Sequence, residues 1–140
     1  MQNRRALIID DDQANCSLWE HFLTDHGYDV VTAASLQDAQ ERWGADIDLY
    51  LVDYYLPDCY GTQTVAQIRQ QFPDSLVFVV SMDDDADVIR EAMRAGGNLH
   101  MVKPTSTAVM TEILSEIDAG TLAAQVRQLI SRHGRRTYNA

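Results

Sequence analysis

Five short apolar runs recur along this chain at intervals of about twenty to twenty-five residues, each followed by a segment with helical spacing. The runs are Arg5–Ile9, Tyr28–Ala33, Leu49–Val52, Leu76–Val80 and Leu99–Val102, rich in Val, Ile, Leu and Tyr and too short for helices. Leu18, Trp19, Phe22 and Leu23 set the spacing of a first helix, which Asn15 or Ser17 is expected to start and Gly27 to close. Ser35 with Asp38 resembles a capping box and opens a short helix through Trp43. A third helix carries Val65, Ile68 and Phe72 and stops near Gln71, ahead of Pro73-Asp74. A fourth covers Asp87–Ala95 and ends at Gly96-Gly97, and Ser106 is expected to cap a fifth bearing Met110, Ile113, Leu114 and Ile117. Alternating strands and helices predict an α/β domain, and uninterrupted apolar strands predict a parallel sheet covered on both faces.

The chain has 140 residues, enough for one domain, with 46% hydrophobic and 23% charged residues in the range of water-soluble folds. Met1-Gln2-Asn3-Arg4-Arg5 leads into only four apolar residues, too few for a signal peptide, and no apolar run approaches a membrane span. Cys16 and Cys59 lack metal-type spacing, so free thiols in a reducing cytoplasm are expected. A net charge of −10 repels phosphate backbones, which argues against direct nucleic acid binding. Output should therefore pass through a protein partner or an attached domain.

The unusual polar residues gather at one end of the sheet. Asp10, Asp11 and Asp12 follow the first strand, Asp53 the third, Ser81 the fourth and Lys103 the fifth. In open parallel sheets the carboxyl ends of the strands are where ligands bind. Three adjacent acids repel one another, and a hard divalent cation with oxygen ligands answers that charge. Each residue alone has a plainer role: Asp10, Asp53 or Ser81 as a cap, Lys103 as a surface lysine. Together those roles leave the acids without a counter-ion. The run Asp83-Asp84-Asp85-Ala86-Asp87 lacks the glycine and glutamate of a calcium loop and reads as an acidic helix start.

Leu7-Ile8-Ile9-Asp10-Asp11-Asp12, Leu51-Val52-Asp53-Tyr54-Tyr55-Leu56-Pro57 with Gly61, Val79-Val80-Ser81, and Gly96 through Lys103-Pro104 stand in the order and spacing of a known family. The sequence resembles a receiver domain of the two-component response regulators over roughly residues 4–118. The resemblance implies a flavodoxin-like doubly wound sheet of order 2-1-3-4-5 with helices on both faces. It implies Asp53 as phosphoacceptor and Asp10, Asp11, Asp53 and the Tyr55 backbone carbonyl as ligands of Mg2+, Asp10 through water. Lys103 and Ser81 would contact phosphoryl oxygens, with Asp12 outside the metal's direct ligands. The phosphodonor would be a sensor histidine kinase or histidine phosphotransfer protein, and the switched face would lie around residues 86–102.

The sequence departs from the family at His100, where Tyr or Phe is usual. His100 either makes the inward movement of that aromatic, adding pH sensitivity, or stays exposed and leaves the coupling to other residues. Met82 replaces a smaller residue and could partly cover the phosphoryl site, while Tyr55 and Asp83 occupy positions that tune dephosphorylation. Residues 119–140 fall outside the alternation: Leu122, Val126, Leu129 and Ile130 predict a C-terminal helical extension, with a basic end at Arg127, Arg132, His133, Arg135 and Arg136. It either lies on the domain or forms a homodimer or partner contact. No output domain is encoded, so the chain either docks on a target itself or is a fragment of a longer regulator. The rival reading is a haloacid-dehalogenase-type phosphatase with Asp10 as nucleophile and Asp12 as general acid. It leaves Asp53 without a role and meets Ala14 where a hydroxyl or small residue is expected. A receiver that works without phosphorylation is a further alternative, disfavoured by the full acid set with Ser81 and Lys103.

Overall fold

The computed structural model describes residues 4–82, 85–103, 107–119, 128–130 and 136–138. In chain order the elements are β1 (Arg4–Ile9), α1 (Gln13–Asp25), β2 (Tyr28–Ala33), α2 (Leu36–Gln40), β3 (Leu49–Asp53), α3 (Gly61–Gln71), β4 (Leu76–Ser81), α4 (Ala86–Ala95), β5 (Leu99–Val102), α5 (Thr107–Ala119), β6 (Gln128–Ile130) and β7 (Arg136–Tyr138). The first five strands are parallel in the order β2-β1-β3-β4-β5, as expected.

Successive side chains of a strand point to opposite faces, and here both faces are apolar. Ala6, Ile8, Leu51, Phe78 and Met101 pack with Trp19 and Leu23 of α1 and Ile113 of α5. Leu7, Ile9, Val52 and Val79 pack with Ala39 of α2, Val65 and Ile68 of α3 and Ala92 of α4. That two-sided burial explains why the strands read as unbroken apolar runs. The strand order reverses direction between β1 and β3, so the crevice at that switch point lies where Asp10 and Asp53 emerge.

Several local expectations are corrected. The N-cap of α1 is Asp12, upstream of Asn15 and Ser17: its side chain accepts from the Ala14 N–H at 3.0 Å and the Asn15 N–H at 3.3 Å. The carboxylate wins because it can reach two of the unsatisfied amides of the first turn. Ser35 caps α2 by accepting the Asp38 N–H at 3.0 Å, but the return bond from Asp38 goes to the Ala34 N–H, and α2 ends at Gln40, short of Trp43. The helix expected over 121–132 is not what Gln128–Ile130 forms. That stretch is β6, parallel to β5 with His100 opposite Leu129, and β7 pairs antiparallel beyond it. The outer edge of β5 offers open backbone donors and acceptors, and satisfying them overrides a weak helical spacing. Residues 121–127 and the basic Arg132, His133 and Arg135 lie outside the described residues, as do Asp83 and the proposed cap Ser106.

Candidate functional site

The loop after β1 turns back on itself because Asp10 accepts the Asp12 N–H at Oδ1, 2.9 Å away. Asp10 is 4% exposed, and its Oδ2 takes hydrogen bonds from the Asn15 side chain and, at 3.3 Å, from Lys103 Nζ. Across the switch point Asp53 ends β3 at 9% exposure. Its Oδ2 lies 3.4 Å from the same ammonium, and its Oδ1 accepts the Tyr55 N–H at 3.4 Å. Asp11 is exposed, and Asp10, Asp11 and Asp53 each offer a carboxylate oxygen within 4.8 Å of the others. Oxygen donors this close, with net negative charge, suit a hard divalent cation.

One ammonium stands among three acids, and that imbalance sets the electrostatics. Burial and then the Asp10 charge push the Asp53 carboxyl up to about 6, against the opposing pull of Lys103 and the Tyr55 N–H. Burial works against the Lys103 charge, but Asp53 and Asp10 outweigh it and hold the ammonium above its ordinary value. Titration of metal-free protein followed by carboxyl carbon NMR should therefore find Asp53 protonating well above an ordinary aspartate. Asp10→Asn should bring that midpoint down; an Asp53 midpoint near 4 in the parent would contradict this balance.

The backbone around Asp53 is tightly fitted. Gly61 approaches so closely that a Cβ there would fall 2.8 Å from the Tyr54 Cα, and nearer still to the Asp53 carbonyl oxygen. Only glycine permits that approach, which explains the Gly61 read from the loop. Ser81 is fully buried at the end of β4, and its carbonyl accepts the Lys103 N–H at 2.8 Å. The ends of β4 and β5 are thereby tied beside the acids. Met82 is 72% exposed. His100 is fully buried, opposite Val79 of β4, so of the two alternatives the one in which it stays exposed is corrected: a strand flanked on both edges and covered by α4 leaves its ring no path to solvent.

Two neighbouring side chains contact Asp10 in ways that residue type alone does not announce. Asn15, a candidate cap by residue type, instead donates its side-chain amide to Asp10. Cys16 donates its thiol to the Asp10 carbonyl at 3.2 Å, and burial together with Asp10 and Asp12 pushes it up to about 11, so it is a neutral thiol with no nucleophilic role at neutral pH. A cavity of about 330 Å³ lined by Ile47, Asp48, Phe72, Pro73 and Ser75 lies at the opposite end of the strands, away from the acids.

The family model described as response regulator receiver domain matches residues 6–115. The chain belongs to that family. Among curated relatives, the receiver is 30% identical over 115 residues to the transcriptional regulatory protein CitT of Halalkalibacterium halodurans, covering 79% of this chain and 50% of CitT. It is 32% identical over 129 residues to the alginate biosynthesis transcriptional regulatory protein AlgB of Pseudomonas aeruginosa, covering 91% of this chain and 27% of AlgB. The chain thus spans half or less of these relatives. A response regulator from Burkholderia pseudomallei, solved with a phosphorylated aspartic acid, a calcium ion and citrate, shares the fold at a TM-score of 0.72 and 22% identity, over 84% of this chain and 72% of that one. Receivers of this family are phosphoacceptor modules of two-component signalling rather than turnover enzymes. No helix among the described residues is long and apolar enough to cross a membrane.

Proposed function

We propose that this receiver, residues 4–118, is a switch driven by phosphorylation of Asp53, with residues 119–140 as an extension of it. The observation that carries the reading is the buried Asp53 carboxylate with Asp10 and Asp11 within 4.8 Å and the Lys103 ammonium at 3.4 Å. Asp10, Asp11, Asp53 and the Tyr55 carbonyl would hold Mg2+, which when bound supplies positive charge that lets a dianionic phosphoryl group approach carboxylates. An Asp53 oxygen attacks the phosphorus of a phosphohistidine on a sensor kinase or phosphotransfer protein. The P–N bond breaks, its electron pair returns to the imidazole, and an acyl phosphate remains on Asp53. Lys103, already balanced between the two acids, shifts its pairing to a phosphoryl oxygen, and the Ser81 hydroxyl donates to another. Both residues adjoin β5, which carries His100, so their movement reaches the face at 86–102. A downstream target or an attached output domain would read that face, in the cytoplasm.

The phosphatase alternative needs Asp12 as a general acid. Asp12 instead accepts two backbone N–H groups at the start of α1, which commits its side chain to capping that helix. Intact-protein mass spectrometry after incubation with acetyl phosphate and Mg2+ tests the choice. The expected result is one phosphoryl group per chain, suppressed by a chelator. Sustained multiple turnover of a generic phosphomonoester, with no phosphoprotein accumulating, would favour the phosphatase.

A further inference from the structure

Helix α4 is attached unevenly. Its second half buries Ala92 and Met93, and the carbonyl of its C-cap, Gly96, accepts from Arg69 Nε at 3.0 Å and Nη2 at 2.8 Å. The same guanidinium reaches the Pro73 and Ser75 carbonyls and Asn98 Oδ1, each at 2.7 Å, and Asn98 Oδ1 also takes the Val77 N–H at 2.9 Å. The end of α4 and the start of β5 are thereby pinned to α3 and β4. From Asp85 to Glu91, by contrast, no residue is buried; Val88 and Ile89 are only partly covered. Segments with so little buried surface move at low free-energy cost.

That loosely held half is tied to the phosphorylation loop. Tyr54 Oη donates to Glu91 Oε2 at 3.0 Å. Tyr54 directly follows Asp53, is nearly buried, and is held on both sides: its N–H donates to the Val80 carbonyl at 3.0 Å and its carbonyl accepts the Gly61 N–H. Its ring packs against Tyr55 and Tyr60 with centroids 4.8 and 5.9 Å away, so the loop backbone decides where its hydroxyl points. Lys103 here pairs with the Asp53 and Asp10 carboxylates themselves, the arrangement of the resting site.

We propose that the Tyr54–Glu91 hydrogen bond is a latch that holds the first half of α4 in the resting arrangement, with the Arg69-pinned end as its pivot. Occupation of Asp53 shifts the loop that starts at Tyr54, breaks the latch and frees α4 to move. This rests on the receiver reading and makes Tyr54 and Glu91 positioning residues for its switch. A contact made only in one state biases the equilibrium toward it, and by reciprocity weakens binding of whatever favours the other state.

Titration of the full chain with beryllofluoride and Mg2+ tests the latch, with affinity read by calorimetry and α4 amide shifts by NMR. Tyr54→Phe keeps the ring and removes the donor, and Glu91→Ala removes the acceptor. Each should tighten beryllofluoride binding about fivefold, the worth of one hydrogen bond lost from the resting state. Glu91→Gln keeps an acceptor oxygen and should stay within about twofold of the parent. The double variant Tyr54→Phe/Glu91→Ala should gain no more than either single change. Unchanged affinity in Tyr54→Phe and Glu91→Ala, even with lowered resistance to urea, would make the bond merely structural and overturn the latch. Additive gains in the double variant would also overturn it. A parent protein that binds no beryllofluoride overturns the receiver reading and the latch together, whereas binding by the parent with unchanged variants removes the latch alone.

Discussion

Lys103→Met is expected to destabilise the metal-free receiver by about 3 kcal/mol at neutral pH, the scale of breaking a buried ion pair. Its ammonium lies within 3.4 Å of both Asp10 and Asp53, two carboxylates that are almost entirely buried. Removing it leaves their repulsion and desolvation uncompensated. Because Lys103 is held above its ordinary value, its own charge persists through neutral pH and is lost as alkaline solution deprotonates it, while on the acid side its pairing weakens as Asp53 takes up a proton. Urea denaturation with and without Mg2+ checks this. The variant should regain more stability from Mg2+ than the parent does, since the ion answers the same charge. A loss that is equally large with saturating Mg2+ would mean that Lys103 acts through packing of its aliphatic stem.

Asp53→Asn should do two opposite things. Phosphoryl uptake from acetyl phosphate should fall to nothing, because an amide oxygen does not form an acyl phosphate. Metal-free stability at neutral pH should rise by about 2 kcal/mol, because a carboxylate penalised by burial and by Asp10 is gone. The direction follows from its raised value. A carboxyl that titrates at about 6 folded and 3.8 unfolded binds its proton more tightly in the folded state. The parent therefore loses stability as pH rises through that window, and the advantage of the variant should vanish below it. Denaturation midpoints across pH 3.5 to 7.5, on the order of the window set by those two values, read the effect. A variant less stable than the parent at neutral pH would show that the Tyr55 and Lys103 contacts outweigh the charge penalty. Under the proposed function, such a gain would mean that the charged cluster is kept at the expense of stability.

The sheet and the site residues were legible because both arise from strong local signals. β1, β3 and β4 are covered on two faces, so they read as short unbroken apolar runs too brief for helices; β3 and β4 end in Asp53 and Ser81, and β1 leads directly into Asp10. Gly61 was legible as a turn residue, though its close approach to Tyr54 was not. What could not be read depends on tertiary context. Asp12 and Asn15 were both plausible caps by type, and only the fold of the loop decides that Asp12 caps while Asn15 turns to Asp10. Gln128–Ile130 has helical spacing upstream, yet an open edge of β5 recruits it as a strand. The burial of His100 follows from that same covered edge and from α4, neither visible at a single position. Tyr54 and Glu91 lie 37 residues apart, and neither carries a motif that would join them.

Finding the phosphorylated residue tests the central claim most directly. Wild-type protein is treated with acetyl phosphate and Mg2+, the acyl phosphate is reduced with borohydride, and the modified position is read by peptide mass spectrometry. The account predicts modification at Asp53, with Asp10, Asp11 and Asp12 unmodified. Modification at Asp10 or Asp12 instead, or a phosphoryl group on a residue outside β3, would contradict it.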